Sequence, residues 1–75
     1  MRLDEVPVGS TVRVRKLCGG PILKFMEMGV LPGTEVRVLK KAPLGDPIEV
    51  ELRGYRLSLR KEEAECLEVV PCGSP

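Results

Sequence analysis

Lys24-Phe25-Met26-Glu27-Met28-Gly29-Val30-Leu31-Pro32-Gly33 decides how this chain folds. The stretch reads as the last turns of a short helix, a glycine stop and a second tight turn. Gly20-Pro21 just ahead of it predicts the helix start, because proline at the first helical position gives up only an N–H that has no helical partner. Ile22, Phe25 and Met26 fall at i, i+3 and i+4 and predict one apolar stripe facing a core. Gly29 stands where a left-handed residue stops a helix without a Cβ clash. Pro32-Gly33 fits a type II turn, with proline setting φ and glycine accepting a positive one. The stretch is therefore expected to carry the chain out of one strand, through a helical crossover, into the next.

Both sides of it alternate as strands do. Upstream, Val12 and Val14 predict inward positions between outward Arg13 and Arg15, and Cys18-Gly19-Gly20 breaks the strand. Leu3 and Val6 are apolar anchors before the turn Pro7-Val8-Gly9-Ser10. Downstream, Val36 and Val38 alternate with Glu35 and Arg37. Pro43-Leu44-Gly45-Asp46-Pro47 has turn chemistry. Ile48, Val50 and Leu52 alternate with Glu49 and Glu51, Gly54-Tyr55 reads as a hairpin link, and Leu57 and Leu59 follow on the inner face. Lys61 to Glu65 fits one helical or 3₁₀ turn. Leu67 and Val69 complete the last strand, and residues 71–75 read as a frayed tail. The expectation is a mainly β fold with about five short strands and one helix in the crossover between the first strands. An OB-fold would more usually place its helix between the third and fourth strands. A small SH3-like barrel is the better match, and it hides strand edges at this size.

A chain of 75 residues allows one domain, taken here as residues 1–75. Aromatics make up 3% of it, so the core must be aliphatic. No apolar run approaches the roughly 18–20 residues that cross a bilayer, and Met1-Arg2-Leu3-Asp4-Glu5 lacks a signal-peptide core. Direct membrane insertion is not expected, and a cytoplasmic location is. Cys18, Cys66 and Cys72 form an odd set without C-x-x-C spacing, unlike a secreted disulfide framework. The net charge of +1 conceals an asymmetry: residues 1–41 carry +4 and residues 42–75 carry −3. Cross-strand pairing of the two halves accounts for this better than a basic face for an acidic partner.

Catalytic equipment is missing. There is no histidine to serve as general base or metal ligand. Glu62, Glu63 and Glu65 do not converge on one point, and nothing near them in sequence shifts a pKa. Cys18 is expected as a small residue packed at a strand end. Cys66 and Cys72 are too far apart for a zinc knuckle, and Cys18 lies a whole crossover away. Cys18 and Cys66 are the only metal candidates worth naming, for a weak divalent ion such as Fe²⁺ or Zn²⁺ at most. Their meeting at the ends of neighbouring strands would favour a metal-sensing module. Nucleic acid is not expected as a partner, because only Phe25 and Tyr55 could stack on bases. An uninterrupted patch of Arg13, Arg15, Arg37 and Lys40 or Lys41 would argue otherwise.

From Leu3 to Val69 the chain resembles the FeoA family. Phe25-Met26-Glu27-Met28-Gly29-Val30-Leu31-Pro32-Gly33-Thr34 is similar to that family's Leu-x-x-x-Gly-[hydrophobic]-x-Pro-Gly pattern. Pro47-Ile48-Glu49-Val50 with Gly54-Tyr55-Arg56-Leu57-Ser58-Leu59-Arg60 matches its strand–Gly–strand hairpin. Lys61-Glu62-Glu63-Ala64 and Leu67-Glu68-Val69 match its closing turn and strand, and Leu3-Asp4-Glu5-Val6 with Gly9 matches its opening. Where the family usually has Arg-Leu in the helix, Lys24-Phe25 stands here; lysine keeps the charge and loses the planar fork. The resemblance implies an SH3-like barrel that is not an enzyme; from the residues themselves no cofactor is expected beyond the weak divalent ion named above. It also implies a cytosolic accessory of ferrous-iron uptake that contacts FeoB, a membrane transporter with a GTPase domain. The FeoA-like domain of iron-dependent repressors supplies the alternative, a metal-binding or metal-sensing module.

The partner surface is expected on the crossover: Leu23, Lys24, Glu27, Val30 and Leu31, with Leu44 at a loop tip. With Ile22, Phe25 and Met26 facing the barrel, Leu23, Lys24 and Glu27 turn towards water, and of Val30 and Leu31, between two turns, a small barrel can cover only one well. Clustered exposed apolar groups point to a contact site, the alternative being that Leu23 and Leu31 fold over the open end of the barrel as a lid. Gly29, Pro32, Gly33 and Gly54 are expected to be structural turn residues.

Overall fold

The computed structural model describes residues 1–18 and 22–72. The alternating segments form β1 (Thr11–Leu17), β2 (Glu35–Lys41), β3 (Ile48–Leu52), β4 (Tyr55–Leu59) and β5 (Leu67–Pro71). They pair antiparallel in one sheet of order β4-β3-β2-β1-β5. Helix α1 (Ile22–Glu27) lies between β1 and β2, and α2 (Lys61–Glu65) between β4 and β5. The expected helix opening at Gly20-Pro21 and the strand break at Gly19-Gly20 lie outside the described residues. β1 has an extra residue at Arg15 against β5, and β2 has one at Leu39 against β3. Such irregularities bend and twist a strand, which lets a five-stranded sheet curl over its own inner face.

That inner face is the core. Val12, Val14, Phe25, Val36, Val38, Ile48, Val50, Leu52, Leu59, Leu67 and Val69 are each at most 2% exposed, as their alternation predicts. Leu57 departs from it and is only half-buried, because β4 is an edge strand with one neighbour. Leu3 and Val6, flanking a 3₁₀ turn at Leu3–Glu5, and Ala64 of α2 close the core. Glu5 accepts a hydrogen bond from the Arg2 backbone N–H at 2.8 Å, which satisfies an orphan donor at the start of that turn.

Two boundaries differ from the sequence reading. The hairpin link is Arg53-Gly54, with φ of 50° and 83°, and Tyr55 already pairs with Leu52. Two consecutive positive φ values make the mirror-image turn that matches strand twist. The tail expected from residue 71 does not begin there. Pro71 pairs with Val12, and the Cys72 N–H donates to the Thr11 carbonyl at 3.3 Å. Proline is tolerated there because β5 is an edge strand. Residues 73–75 lie outside the described residues.

Candidate functional site

The end of α1 sets the geometry of the exposed surface. Gly29 has φ of 82°, its N–H donates to the Met26 carbonyl at 3.1 Å, and the Val30 N–H donates to the Phe25 carbonyl at 2.8 Å. This is a Schellman stop, in which the residue after the glycine packs on the residue one turn back in the helix. Val30 is accordingly 1% exposed and Phe25 0%. Val30, expected on the partner surface, is thereby corrected to a core residue: the same geometry that ends the helix turns it inward. The next turn follows the sequence reading. Gly33 has φ of 92°, and the Thr34 N–H donates to the Leu31 carbonyl at 3.0 Å across Pro32-Gly33.

The apolar stripe also needs correction. Of Ile22, Phe25 and Met26, only Phe25 enters the core; Ile22 is 37% exposed and Met26 52%. Within the six residues of α1, Phe25 is the one buried side chain. Leu23 is 73% exposed, as expected for it, and Lys24 and Glu27 are exposed beside it, while Leu31 is half-buried. The crossover therefore presents more apolar surface than the spacing suggested.

A second apolar tip accompanies it. The β2–β3 connection holds a 3₁₀ turn at Pro43–Gly45, and Leu44 within it is 98% exposed with φ of 72°. A leucine in the left-handed region is uncommon and costs backbone energy. A groove of about 400 Å³ runs between the two elements, lined by Lys24 of α1, Asp46 and Pro47 of the connection, Ser58 and Arg60 of the β4 end, and Glu63 of α2. Its walls are tied together. Asp46 Oδ1 accepts from the Lys61 N–H at 2.9 Å. Glu63 Oε1 accepts from the Arg60 N–H at 2.9 Å, while its Oε2 takes the Lys24 ammonium.

Lys24 holds the Glu63 carboxyl below the ordinary carboxylate range, with the Arg60 N–H acting in the same direction against partial burial. The expectation that nothing shifts a pKa in the acidic run is corrected here. The flanking cation comes from α1, distant in sequence. Tyr55, read only as part of a hairpin link, donates its hydroxyl to the Met28 carbonyl and so ties the end of α1 to β4. No sequence signal gives either contact; both need the tertiary fold to bring distant segments together.

The cysteines fall in an unexpected arrangement. Cys18, just past β1, and Cys66, between α2 and β5, form a disulfide with Cα atoms 4.9 Å apart. Cys18 is exposed rather than packed at the strand end. Cys72 is free, and burial followed by the neighbouring Glu35 carboxylate pushes its thiol pKa up. Among the described residues no cluster of three or more cysteine, aspartate or glutamate side chains is placed to hold a metal ion. While the two sulfurs are joined in a disulfide, neither offers a thiolate to a divalent ion. The outward cations do not form an unbroken patch either. Arg13 pairs with Glu35 at 3.1 Å and Arg15 with Glu68 at 3.5 Å, while Lys41 donates to the Asp4 carbonyl at 3.0 Å.

These features define a small antiparallel β module whose most exposed apolar side chains, Leu44 and Leu23, lie on its connecting elements beside a charged groove. The family model for the FeoA domain matches residues 1–71, and the chain belongs to that family. A curated relative from Porphyromonas gingivalis (strain ATCC BAA-308 / W83), an Fe(2+) transport protein A/Fe(2+) transporter FeoB fusion protein, is 34% identical over 71 residues, which are 92% of this chain. The chain spans 8% of that relative's length. The solution structure of an FeoA-like protein from Clostridium acetobutylicum is 42% identical and superposes with a TM-score of 0.90, covering 100% of this chain and 90% of that one. The zinc-complexed crystal structure of Stenotrophomonas maltophilia FeoA, described as a prokaryotic SH3 domain protein, is 29% identical with a TM-score of 0.82, covering 93% and 89%. The SH3-like fold and a family tied to ferrous-iron transport follow from these likenesses. No helix among the described residues is long and apolar enough to cross a membrane.

Proposed function

We propose that this chain is a single-domain, non-enzymatic, cytosolic accessory of ferrous-iron uptake that docks on the cytosolic part of an FeoB-like membrane transporter. One observation carries the choice of partner: in the P. gingivalis relative the matching segment and FeoB belong to one fusion protein. Fusion holds two modules at high effective concentration, which is useful where they contact each other. The docking face is the crossover, namely Leu23, Lys24, Glu27 and Leu31, with Leu44 in the β2–β3 connection as an addition. The 73% exposure of Leu23 and 98% exposure of Leu44 support it, because a small barrel gains nothing in its own core from either side chain. The cation–carboxylate ties around the groove support a preorganised surface. Nucleic acid has no place in this reading.

Titration of the chain against the isolated cytosolic domain of such a transporter tests it. Leu23→Asp should stay within about 0.5 kcal/mol of the parent in stability, as surface substitutions usually do. It should weaken binding at least about tenfold, equivalent to about 1.4 kcal/mol. Leu31→Asp should weaken binding with a moderate loss of stability. Unchanged binding by a folded Leu23→Asp variant moves the interface elsewhere, and absence of binding by the parent rejects the partner.

A metal-binding or metal-sensing module is the second reading. It draws on the adjacency of Cys18 and Cys66 and on the zinc bound to the S. maltophilia protein. The disulfide, and the lack among the described residues of a converging third donor, count against it.

A further inference from the structure

We infer that Cys18–Cys66 is a redox modification site, which takes small thiol/disulfide couples as its reactants and sets how the leading end of α1 is held.

The argument starts from the ladder. Leu17 and Leu67 are the last paired residues of β1 and β5, and one step beyond them Cys18 and Cys66 face each other. The Cys18 N–H donates to the Cys66 carbonyl at 2.9 Å, so the backbones stay in contact past the end of the strands. Their Cα separation of 4.9 Å lies within both the range of residues opposed across an antiparallel pair and the range of disulfides. The strands alone thus bring the two sulfurs within bonding reach. The bond can open and close without a change of fold, which separates this pair from a staple that draws distant segments together.

Access is the second observation. Cys18 is exposed and Cys66 half-buried, and both line a surface cavity of about 360 Å³. The cavity also presents Arg2 and Lys16, whose charges favour an approaching thiolate or a protein thiolate, and Glu5, Glu65 and Glu68, which oppose them. A small reagent can therefore reach the sulfurs of the folded protein, unlike a buried structural disulfide.

The exchange balances with one low-molecular-weight disulfide such as oxidised glutathione. One cysteine thiolate attacks a sulfur of the reagent, expels the first small thiolate and forms a mixed disulfide. The second cysteine thiolate then attacks the protein sulfur and expels the second. Two protein thiols lose two electrons and two protons; the reagent gains them as two small thiols.

The connection to α1 is short. Three residues separate Cys18 from Ile22, the first residue of the helix. Lys24, on the same helix, is bound to Glu63 of α2, one turn before Cys66. α1 is thus tied to the α2–β5 corner at two points, one ionic and one covalent, and opening the covalent one leaves the Cys18–Cys66 backbone hydrogen bond and the Lys24–Glu63 pair as its remaining ties to that corner. This inference does not rest on any partner.

The test equilibrates the folded chain in a series of reduced/oxidised glutathione buffers, traps thiols by alkylation, and maps Cys18–Cys66 and Cys72 separately by mass spectrometry. A Cys72→Ser variant repeats the series without the spare thiol. The ratio of disulfide to dithiol at Cys18–Cys66 should change about tenfold for each tenfold change in oxidised glutathione over reduced glutathione squared. Amide resonances of Ile22–Glu27 should shift between the two states while those of the Arg53-Gly54 turn stay fixed. A pair that opens only in denaturant, that stays dithiol, or that stops at glutathione adducts overturns the redox site. Shifts confined to the residues adjoining the cysteines overturn the link to α1.

Discussion

Glu63 of α2 uses its two carboxylate oxygens for different elements: one caps its own helix at the Arg60 N–H, 2.9 Å away, and the other receives the ammonium of Lys24 on α1. One side chain therefore fixes both the start of a five-residue helix and the position of the crossover against it. The pairing also fits the charge asymmetry of the chain, since a first-half cation meets a second-half carboxylate.

The folded-state pKa of Glu63 lies below the unfolded value, so its contribution to stability is present above about pH 5 and is lost as the pH falls through the folded pKa. Glu63→Gln keeps an oxygen for the cap and removes the ion pair. It should cost about 0.5–1 kcal/mol at neutral pH and flatten the acid limb of a melting-temperature profile. Glu63→Ala also removes the cap and should cost about 1 kcal/mol more. An unchanged acid limb in Glu63→Gln would show that the pair carries no stability.

Gly29 has φ of 82°, and a Cβ placed on it would sit 3.6 Å from the Tyr55 hydroxyl, an ordinary contact. The cost of a side chain here is thus backbone strain, not collision. Gly29→Val should lower unfolding free energy by about 1–3 kcal/mol in a denaturant titration, and Gly29→Asn by less, since asparagine tolerates the left-handed region.

Leu44 combines near-complete exposure with φ of 72°, so its folding cost and its contact value separate. Leu44→Asn relieves strain and should raise stability by about 0.5–1 kcal/mol. The same variant should weaken transporter binding if the loop tip belongs to the docking face. Val30, which the Schellman stop buries, behaves in the opposite way. Val30→Ala should destabilise by about 1–2 kcal/mol. Calorimetric melting of the two variants side by side reads the contrast.

Under reducing conditions the pair offers two thiols, no third donor converges on them among the described residues, and the chain has no histidine. Titration with Zn²⁺ or Fe²⁺ should show no stoichiometric site tighter than about micromolar. A tighter site that disappears in Cys18→Ser or Cys66→Ser would establish the metal-module reading in place of this one.

The alternation of Val12 with Val14, Val36 with Val38 and Ile48 with Val50 and Leu52 determines the strands and their inner faces, because side chains change sides with every residue. Gly29 and Pro32-Gly33 determine the two turns of the crossover, because few residues accept those dihedrals. What α1 buries is not local. Spacing allows Ile22, Phe25 and Met26 on one face, but the open end of a small barrel admits one ring, and that ring is Phe25. Val30 was legible only to the extent that Gly29 implies a Schellman stop. The Lys24–Glu63 ion pair, the Tyr55–Met28 contact and the Cys18–Cys66 bond join residues far apart in sequence. No period or spacing encodes them: the first and third exist because β5 returns beside β1 and brings α2 with it, and the second because the curled sheet brings the start of β4 to the end of α1, so only the tertiary structure decides them.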